Sequence, residues 1–319
     1  KYIHVQYYII RNDEVWQDIE KVLIEKAHEG VEVRVLFDSM GCRTMHKRDW
    51  DRLKCEGIRV AEFFPAILGQ LQMRVNYRNH RKIVVIDGKV GFVGGFNVGR
   101  EYIGKDERFV LDWNYAAHEN LFLEDHLFEI PQYDRHGFDP VQIISSGPDS
   151  QTKTIHDNYL HLIHSARNHV YIQTPYFIPD ASILDALKIA SRSGVDVRIM
   201  IPCKPDHPFV YWATYSYIGE MVAAGAKCYV YNNGFLHAKT LSVDGMVACV
   251  GTANMDIRSF GLNFEVNATI YSERTVQRLE RAFENDMTMS TQVTRKIYEE
   301  RNLLIRFKEQ FSRLLSPLL

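Results

Sequence analysis

Two pairs of side chains suited to phosphate chemistry, His80 with Lys82 and His237 with Lys239, recur inside one extended pattern, H-x-K-x4-D-x6-G-x2-N. It reads HRKIVVIDGKVGFVGGFN in the first half and HAKTLSVDGMVACVGTAN in the second. His80, Lys82, Asp87, Gly94 and Asn97 fall on His237, Lys239, Asp244, Gly251 and Asn254 at a constant offset of 157. A lone His-x-Lys is ordinarily a solvated strand edge, but two copies in register with Asp, Gly and Asn mark a site. Residues two apart on a strand project to the same face, so each imidazole and its ammonium aim at one point. If the halves pack about a pseudo-twofold axis, both pairs converge, with Asn97 and Asn254 as amide donors on the following turns.

That inventory suits phosphoryl chemistry. One imidazole attacks phosphorus to form a phosphohistidine, while the other protonates the leaving alkoxide and then deprotonates the incoming alcohol. Lys82 and Lys239 offset charge on the non-bridging oxygens, so the expected cofactor and metal requirement is none. Unequal surroundings must separate the two histidines, since one starts neutral and the other protonated. Glu265, at the start of EVNATIY, is the expected orienting carboxylate of His237 and is counted with the substrate-site residues Asn97 and Asn254. Asp87 and Asp244 belong to the catalytic motif by position. Each also precedes glycine between two apolar strands, the strongest short-range hairpin signal.

These residues need elements to hold them, and the hydrophobic periodicity alternates strand and helix, as in an α/β fold. Strands are expected at 2–10, 31–37, 58–62 and a pair over 82–93, with helices at 14–28 and 47–56. The second half repeats this with strands at 141–145, 169–174, 195–201, 227–231, 238–250 and 265–271. Its helices are expected at 152–167, 181–192, 209–224 and 273–286. HVQYYIIRND over YIQTPYFIPD (offset 167) and GVEVRVL over GVDVRIM (offset 164) confirm an internal duplication. The Pro-, Gly- and Asp-bearing PQYDRHGFDP at 131–140 reads as the linker, giving domains 1–134 and 135–319.

Composition narrows the function classes. The chain has 319 residues, 46% hydrophobic and 24% charged, which suffices for one large or two medium cores. A net charge of -2 supplies no global basic field for nucleic acid. Five scattered cysteines (Cys42, Cys55, Cys203, Cys228, Cys249) lack C-x-x-C spacing, arguing against a disulfide framework or zinc knuckle. His161 and His164 read as helical surface. No apolar run of about 18 residues predicts a membrane span. Lys1 leads straight into the strand pattern YIHVQYYII with no cap, which predicts a trimmed N-terminus.

The paired motifs resemble those of the phospholipase D superfamily, and YIQTPYFIPD, KPDHPFVYWATYSY, YNNGFLHAK, RSFGLNFEVN and RLLSPLL resemble bacterial cardiolipin synthases. The resemblance implies two phospholipase D-like α/β/α sandwich halves sharing one active site. It implies a phosphatidyltransferase that joins two phosphatidylglycerol molecules into cardiolipin and glycerol, with His80 as nucleophile and His237 as general acid and base. It further implies phosphatidylglycerol and a membrane surface as partners, no nucleic acid, and a bacterial inner-membrane location with the catalytic part facing the cytoplasm. The resemblance also implies anchoring helices, which are expected to lie outside this sequence.

One departure lies within the repeat. FVLDW at 109–113 matches FENDM at 283–287 at an offset of 174, so at least 17 residues (174 less 157) equivalent to the Glu265 strand and early helix are missing. A chain break is therefore expected between Gly104 and Leu111, and the carboxylate partner of His80 is expected to be absent. The aromatic segment 207–225 is a candidate acyl groove or bilayer contact as much as core, and FFPAILGQLQM at 63–73 a further lipid contact. Competing functions are a hydrolytic phospholipase D, a nuclease and a non-catalytic lipid-binding module.

Overall fold

The computed structural model describes residues 1–64, 76–103, 139–203 and 208–315. The first half carries β1 (Tyr2–Tyr7), α1 (Glu14–His28), β2 (Glu32–Asp38), α2 (Lys47–Cys55), β3 (Arg59–Phe63), β4 (Arg78–Asn79), β5 (Ile83–Ile86) and β6 (Val90–Val93). The second half begins with β7 (Val141–Ser146), α3 (Thr154–Ser165), β8 (His169–Gln173), β9 (Phe177–Ile178), α4 (Ala181–Arg192), β10 (Asp196–Pro202), α5 (Pro208–Ala223) and β11 (Lys227–Tyr231). There follow β12 (Thr240–Val243), β13 (Val247–Gly251), β14 (Met255–Asp256), α6 (Ile257–Gly261), β15 (Asn263–Ile270), α7 (Glu273–Thr288), β16 (Ser290–Val293), α8 (Arg295–Glu299) and α9 (Leu303–Leu314). The expected chain break and the linker boundary lie outside the described residues, as does most of the 63–73 segment.

The duplication is a duplication of sheet order. In the first half β3-β2-β1 run parallel and β5 and β6 follow antiparallel; in the second β11-β10-β8 run parallel and β12 and β13 follow antiparallel. The second sheet extends further, with β16 outside β11 and β15 outside β13. Among the described residues β6 is the edge of the first sheet, where the second continues into β15.

Local chemistry is duplicated as well. Asp13 caps α1 by accepting from the Val15 and Trp16 amides, and Asp180 caps α4 by accepting from Ile183, satisfying donors that a helix start leaves unpaired. Gly30 and Gly194, just past those helices, take φ of 85° and 94°, a left-handed turn that side chains resist. In the first half, α1 and α2 lay their apolar faces on the sheet. Trp16, Leu23, Trp50 and Leu53 from α1 and α2 pack with Val5, Val33, Val35 and Phe37. In the second half α3, α4 and α5 cover one face, and Phe283 of α7 packs with Tyr171, Met200 and Tyr229 on the other. The sandwich is complete there.

Both motif aspartates sit in hairpin turns. Asp87 and Asp244 adopt φ of 55°, each followed by a glycine at 66° or 68°, matching the two-residue turn expected from Asp-Gly. Asp87 accepts from the Tyr2 amide at 2.7 Å. Asp244 accepts from the Arg167, Asn168 and His169 amides, all at 2.8 Å. Their role is to tie the hairpin to the strand beside it, which corrects their placement in the catalytic set.

Bonds to a charged acceptor contribute about 1.5–3 kcal/mol each and not additively, so Asp244→Ala should destabilise the fold by roughly 2–3 kcal/mol near neutral pH. Although partial burial opposes it, the three amides hold the Asp244 carboxyl below its usual value of 3.8. A depressed carboxyl stabilises above its unfolded pKa and loses that contribution as pH falls through the folded one. The gap between wild type and variant, measured by denaturant melts, should therefore close below about pH 4. A constant gap down to pH 2 would refute the anchoring role.

Candidate active site

The site lies where β15 of the second half meets β4 of the first. These two pair in parallel, Asn263 opposite Arg78 and Phe264 opposite Asn79. The His80 amide continues the ladder by donating to the Phe264 carbonyl at 3.0 Å. Arg81 fastens the seam from the next position, donating to the carbonyls of Glu265 at 3.1 Å and Ser146 at 3.2 Å. Beneath β4, the wholly buried Asp38 accepts from the Asn79 amide at 2.9 Å. Gln6 donates to the Asn79 side chain at 2.7 Å. His80 is thus placed by its own half and gripped by the other.

Both His–Lys pairs occupy extended stretches just before β5 and β12, and both fold in the same way. Lys82 Nζ donates to the His80 carbonyl at 2.6 Å, and Lys239 Nζ to the His237 carbonyl at 2.6 Å. All four side chains are buried, and the pairs act on one another electrostatically: Lys239 on His80 and Lys82, and Lys82 and His80 on His237. The convergence expected from the repeat is met. Gly95 lets the halves close, since a Cβ there would lie 3.2 Å from Lys239 Cδ and 3.3 Å from the carbonyls of His237 and Gly251.

Glu265 binds the other histidine from the one expected. Its carboxylate oxygens lie 2.9 and 3.0 Å from His80 Nδ1. Thr252 Oγ1 donates to it at 2.5 Å and Asn263 Nδ2 at 3.2 Å. The expectation that Glu265 serves His237, and that His80 has no carboxylate, is corrected. Glu265 is the third residue of β15, the strand facing the other half, and its side chain crosses the seam. Fully buried between an imidazole and an ammonium, it cannot be a phosphate ligand, because an anionic oxygen would be repelled. Its carboxyl stays below the usual range despite burial, held there by His80, Lys82 and Thr252.

Burial pushes His80 down to about 4 and Lys82 well below its ordinary value, with Glu265 opposing and the neighbouring lysines reinforcing. His237 is driven well below an ordinary imidazole by burial, Lys239, Lys82 and His80. Among the described residues its Nδ1 is buried with no hydrogen-bond partner, while a backbone hydrogen bond with Gly95 weakly favours its proton. Both rings are neutral without an anion. Among the described residues Lys82 and Lys239 face Glu265, with the buried Asp38 also acting on Lys82, an arrangement suited to an anion between the two lysines.

The two asparagines differ from each other. Asn97 accepts from the Ile9 amide at 3.1 Å and donates to Tyr102 Oη at 2.9 Å, which ties its loop together. Among the described residues the Asn254 amide oxygen is buried without a partner, so it stays available to a ligand. Residues that the motif did not reveal complete the walls: Tyr8 edge-on to His80 at 5.0 Å and Tyr102 edge-on to His237 at 5.3 Å between ring centroids. Thr252 was visible in principle, because it occupies the position where the first copy has Gly95. Among the described residues no His, Cys, Asp and Glu cluster fits a metal, and His161 and His164 are exposed on α3.

Comparison with known proteins follows this geometry. Residues 1–118 and 159–287 match the family described as cardiolipin synthase, PLD-like domain. The chain is 48% identical over 341 residues to "Cardiolipin synthase" of Oceanobacillus iheyensis, and 49% over 342 residues to "Major cardiolipin synthase ClsA" of Bacillus subtilis. Each alignment covers 100% of this chain and 70% of the relative. Among solved structures, phosphatidylserine synthase of Haemophilus influenzae Rd KW20 superposes with a TM-score of 0.71 at 16% identity, over 100% of this chain and 87% of the other, a likeness of fold. With both motif copies in place and the match running through both halves, the chain belongs to the phospholipase D-like cardiolipin synthase family.

Proposed function

We propose that this chain moves the phosphatidyl group of one phosphatidylglycerol onto the glycerol headgroup of a second, giving cardiolipin and glycerol, at the cytoplasmic face of a bacterial inner membrane. The observation that carries the mechanism is the bond from His80 Nδ1 to Glu265, which leaves Nε2 as the free nucleophilic nitrogen. His80 Nε2 attacks phosphorus, and the bond from phosphorus to the headgroup oxygen breaks. His237 gives its proton to the departing glycerol oxygen. The primary hydroxyl of the second lipid then loses its proton to His237 and attacks phosphorus, breaking the N–P bond and restoring both rings.

The electrostatics supply the order of events. A phosphodiester brings a negative charge between Lys82 and Lys239, so both ammonium groups become favourable where before they repelled. The same charge raises the proton affinity of His237, which among the described residues has no carboxylate of its own, and makes it the acid. Because His80 is paired with Glu265, the positive charge its ring develops on attack is neutralised at once. The two lysines meet the transition-state charge, so the reaction proceeds without a metal.

His80→Ala and His237→Ala should each abolish turnover, and activity should survive EDTA. Labelled lipid trapped in an alkaline quench, where phosphohistidine persists, should map to His80. Activity lost to EDTA and restored by zinc or magnesium would defeat the scheme.

Glu265→Gln removes the charge that raises the His80 pKa and orients its ring. Turnover at neutral pH should fall by about a hundredfold or more. The acid limb of kcat/KM, set near pH 4 by neutral His80, should move to lower pH. An unchanged profile would refute the pairing's role.

Exchange of one phosphodiester for another places the equilibrium near unity. Excess glycerol should therefore convert cardiolipin back to phosphatidylglycerol, measured by product analysis. Phosphatidic acid as the main product at every lipid concentration would assign a hydrolase instead.

A further inference from the structure

Helix α9 is amphipathic the wrong way round. Its inward residues are polar: Glu309 is 0% and Ser312 1% exposed, whereas Leu303 is 80%, Leu304 62%, Phe307 68%, Phe311 47% and Leu314 77% exposed. Positions 303, 307, 311 and 314 follow helical spacing and form one outward stripe. The inward face is locked. Arg301 makes two bonds of 2.7 Å to the buried Glu309 carboxylate, and its guanidinium stacks on Tyr298 at 3.2 Å. Arg313 lies over the Tyr217 ring at 4.4 Å and donates to Ser216 Oγ at 3.3 Å. The Tyr298 ring fills the space above Gly219 of α5, where any Cβ would sit 1.8 Å from Tyr298 Cζ. The helix cannot roll to bury its leucines and phenylalanines without stripping Glu309 of its partner, a costly step for a buried charge.

We infer that α9 is a bilayer-docking helix that lies in the headgroup layer of an anionic membrane with its Leu and Phe stripe inserted. Charge decides the occupant. The exposed ionic side chains on this helix are Arg306 and Lys308, both cationic, while its acid, Glu309, is buried and neutralised. Cations flanking an exposed apolar stripe match the layered chemistry of an anionic bilayer surface. The inference rests in one respect on the proposed function, since a diacyl substrate is presented in that surface. It also relocates the lipid contact considered for 207–225. There α5 buries Ala213, Tyr217, Ile218 and Met221 in the core and serves as the bed on which α9 rests.

The test is sedimentation of the chain with vesicles of phosphatidylglycerol and phosphatidylcholine, beside vesicles of phosphatidylcholine alone. Because the altered side chains are already exposed, Phe307→Ser/Phe311→Ser should fold, with melting unchanged, yet lose roughly tenfold or more in partitioning. Arg306→Glu and Lys308→Glu should each weaken binding to the anionic vesicles by about fivefold or more, an effect that salt reduces. Turnover of short-chain phosphatidylglycerol as dissolved monomers should be retained by the serine variant, while turnover of vesicle lipid falls. Vesicle binding equal to wild type in the serine variant overturns the inference. So does a wild-type dimer that the variant converts to monomer, since the stripe would then face a second copy. If the chain turned over no phosphatidylglycerol but binding still depended on the stripe, the docking surface would stand and the proposed reaction would fall.

Discussion

The bond between Glu265 and His80 joins two demands that a duplicated fold sets against each other. Each half must fold about its own sheet, yet the reaction needs groups from both within reach of a single phosphorus. Edge pairing of β15 with β4 carries the second half's carboxylate onto the first half's imidazole, and the His80 amide completes that ladder. Parting the halves would take Glu265 away from His80 and from the ammonium of Lys82, and removing one partner of such a buried charged contact costs several kcal/mol. The interface and the catalytic geometry are therefore held by the same contacts.

Symmetry sets up the site, and its breaking assigns the roles. The two Lys–His carbonyl bonds are identical at 2.6 Å, and the two Asp-Gly turns share the same left-handed backbone. One position after the motif glycine the copies diverge: Thr252 donates to Glu265, while Gly95 offers only backbone and lets Lys239 and His237 approach. Both imidazoles feel the two lysines, but among the described residues only His80 acquires a carboxylate to oppose them. A nucleophile that must carry positive charge and an acid that must shed it need those different surroundings.

The residues explain which parts were legible from the chain alone. Helices 14–28 and 181–192 and strand 227–231 appear with the expected limits, because caps, periodicity and terminal glycines all agree there. The convergence of His80, Lys82, His237 and Lys239 followed from the constant offset. The partner of Glu265 did not, because sequence proximity suggested His237 while the actual contact spans 185 positions and depends on β4, a two-residue strand with no periodic signal of its own. Asn97 misled for a related reason: an amide after a turn reads equally as ligand donor or loop brace, and Tyr102 settles it as a brace.

The region beyond α7 carries the same lesson in another form. Hydrophobic periodicity identifies a helical face but says nothing about which way that face points; the usual assumption is inward. In α9 the direction is set by Arg301, Glu309 and Tyr298, three residues whose pairing depends on the glycine at 219 in another helix. A buried ion pair adds little net stability over an apolar contact, but it does fix orientation, since only one face of the helix can satisfy it. A helix so locked keeps its leucines and phenylalanines outward for as long as the fold persists, so their exposure follows from the ion pair and the ring above Gly219 and not from a lack of packing partners.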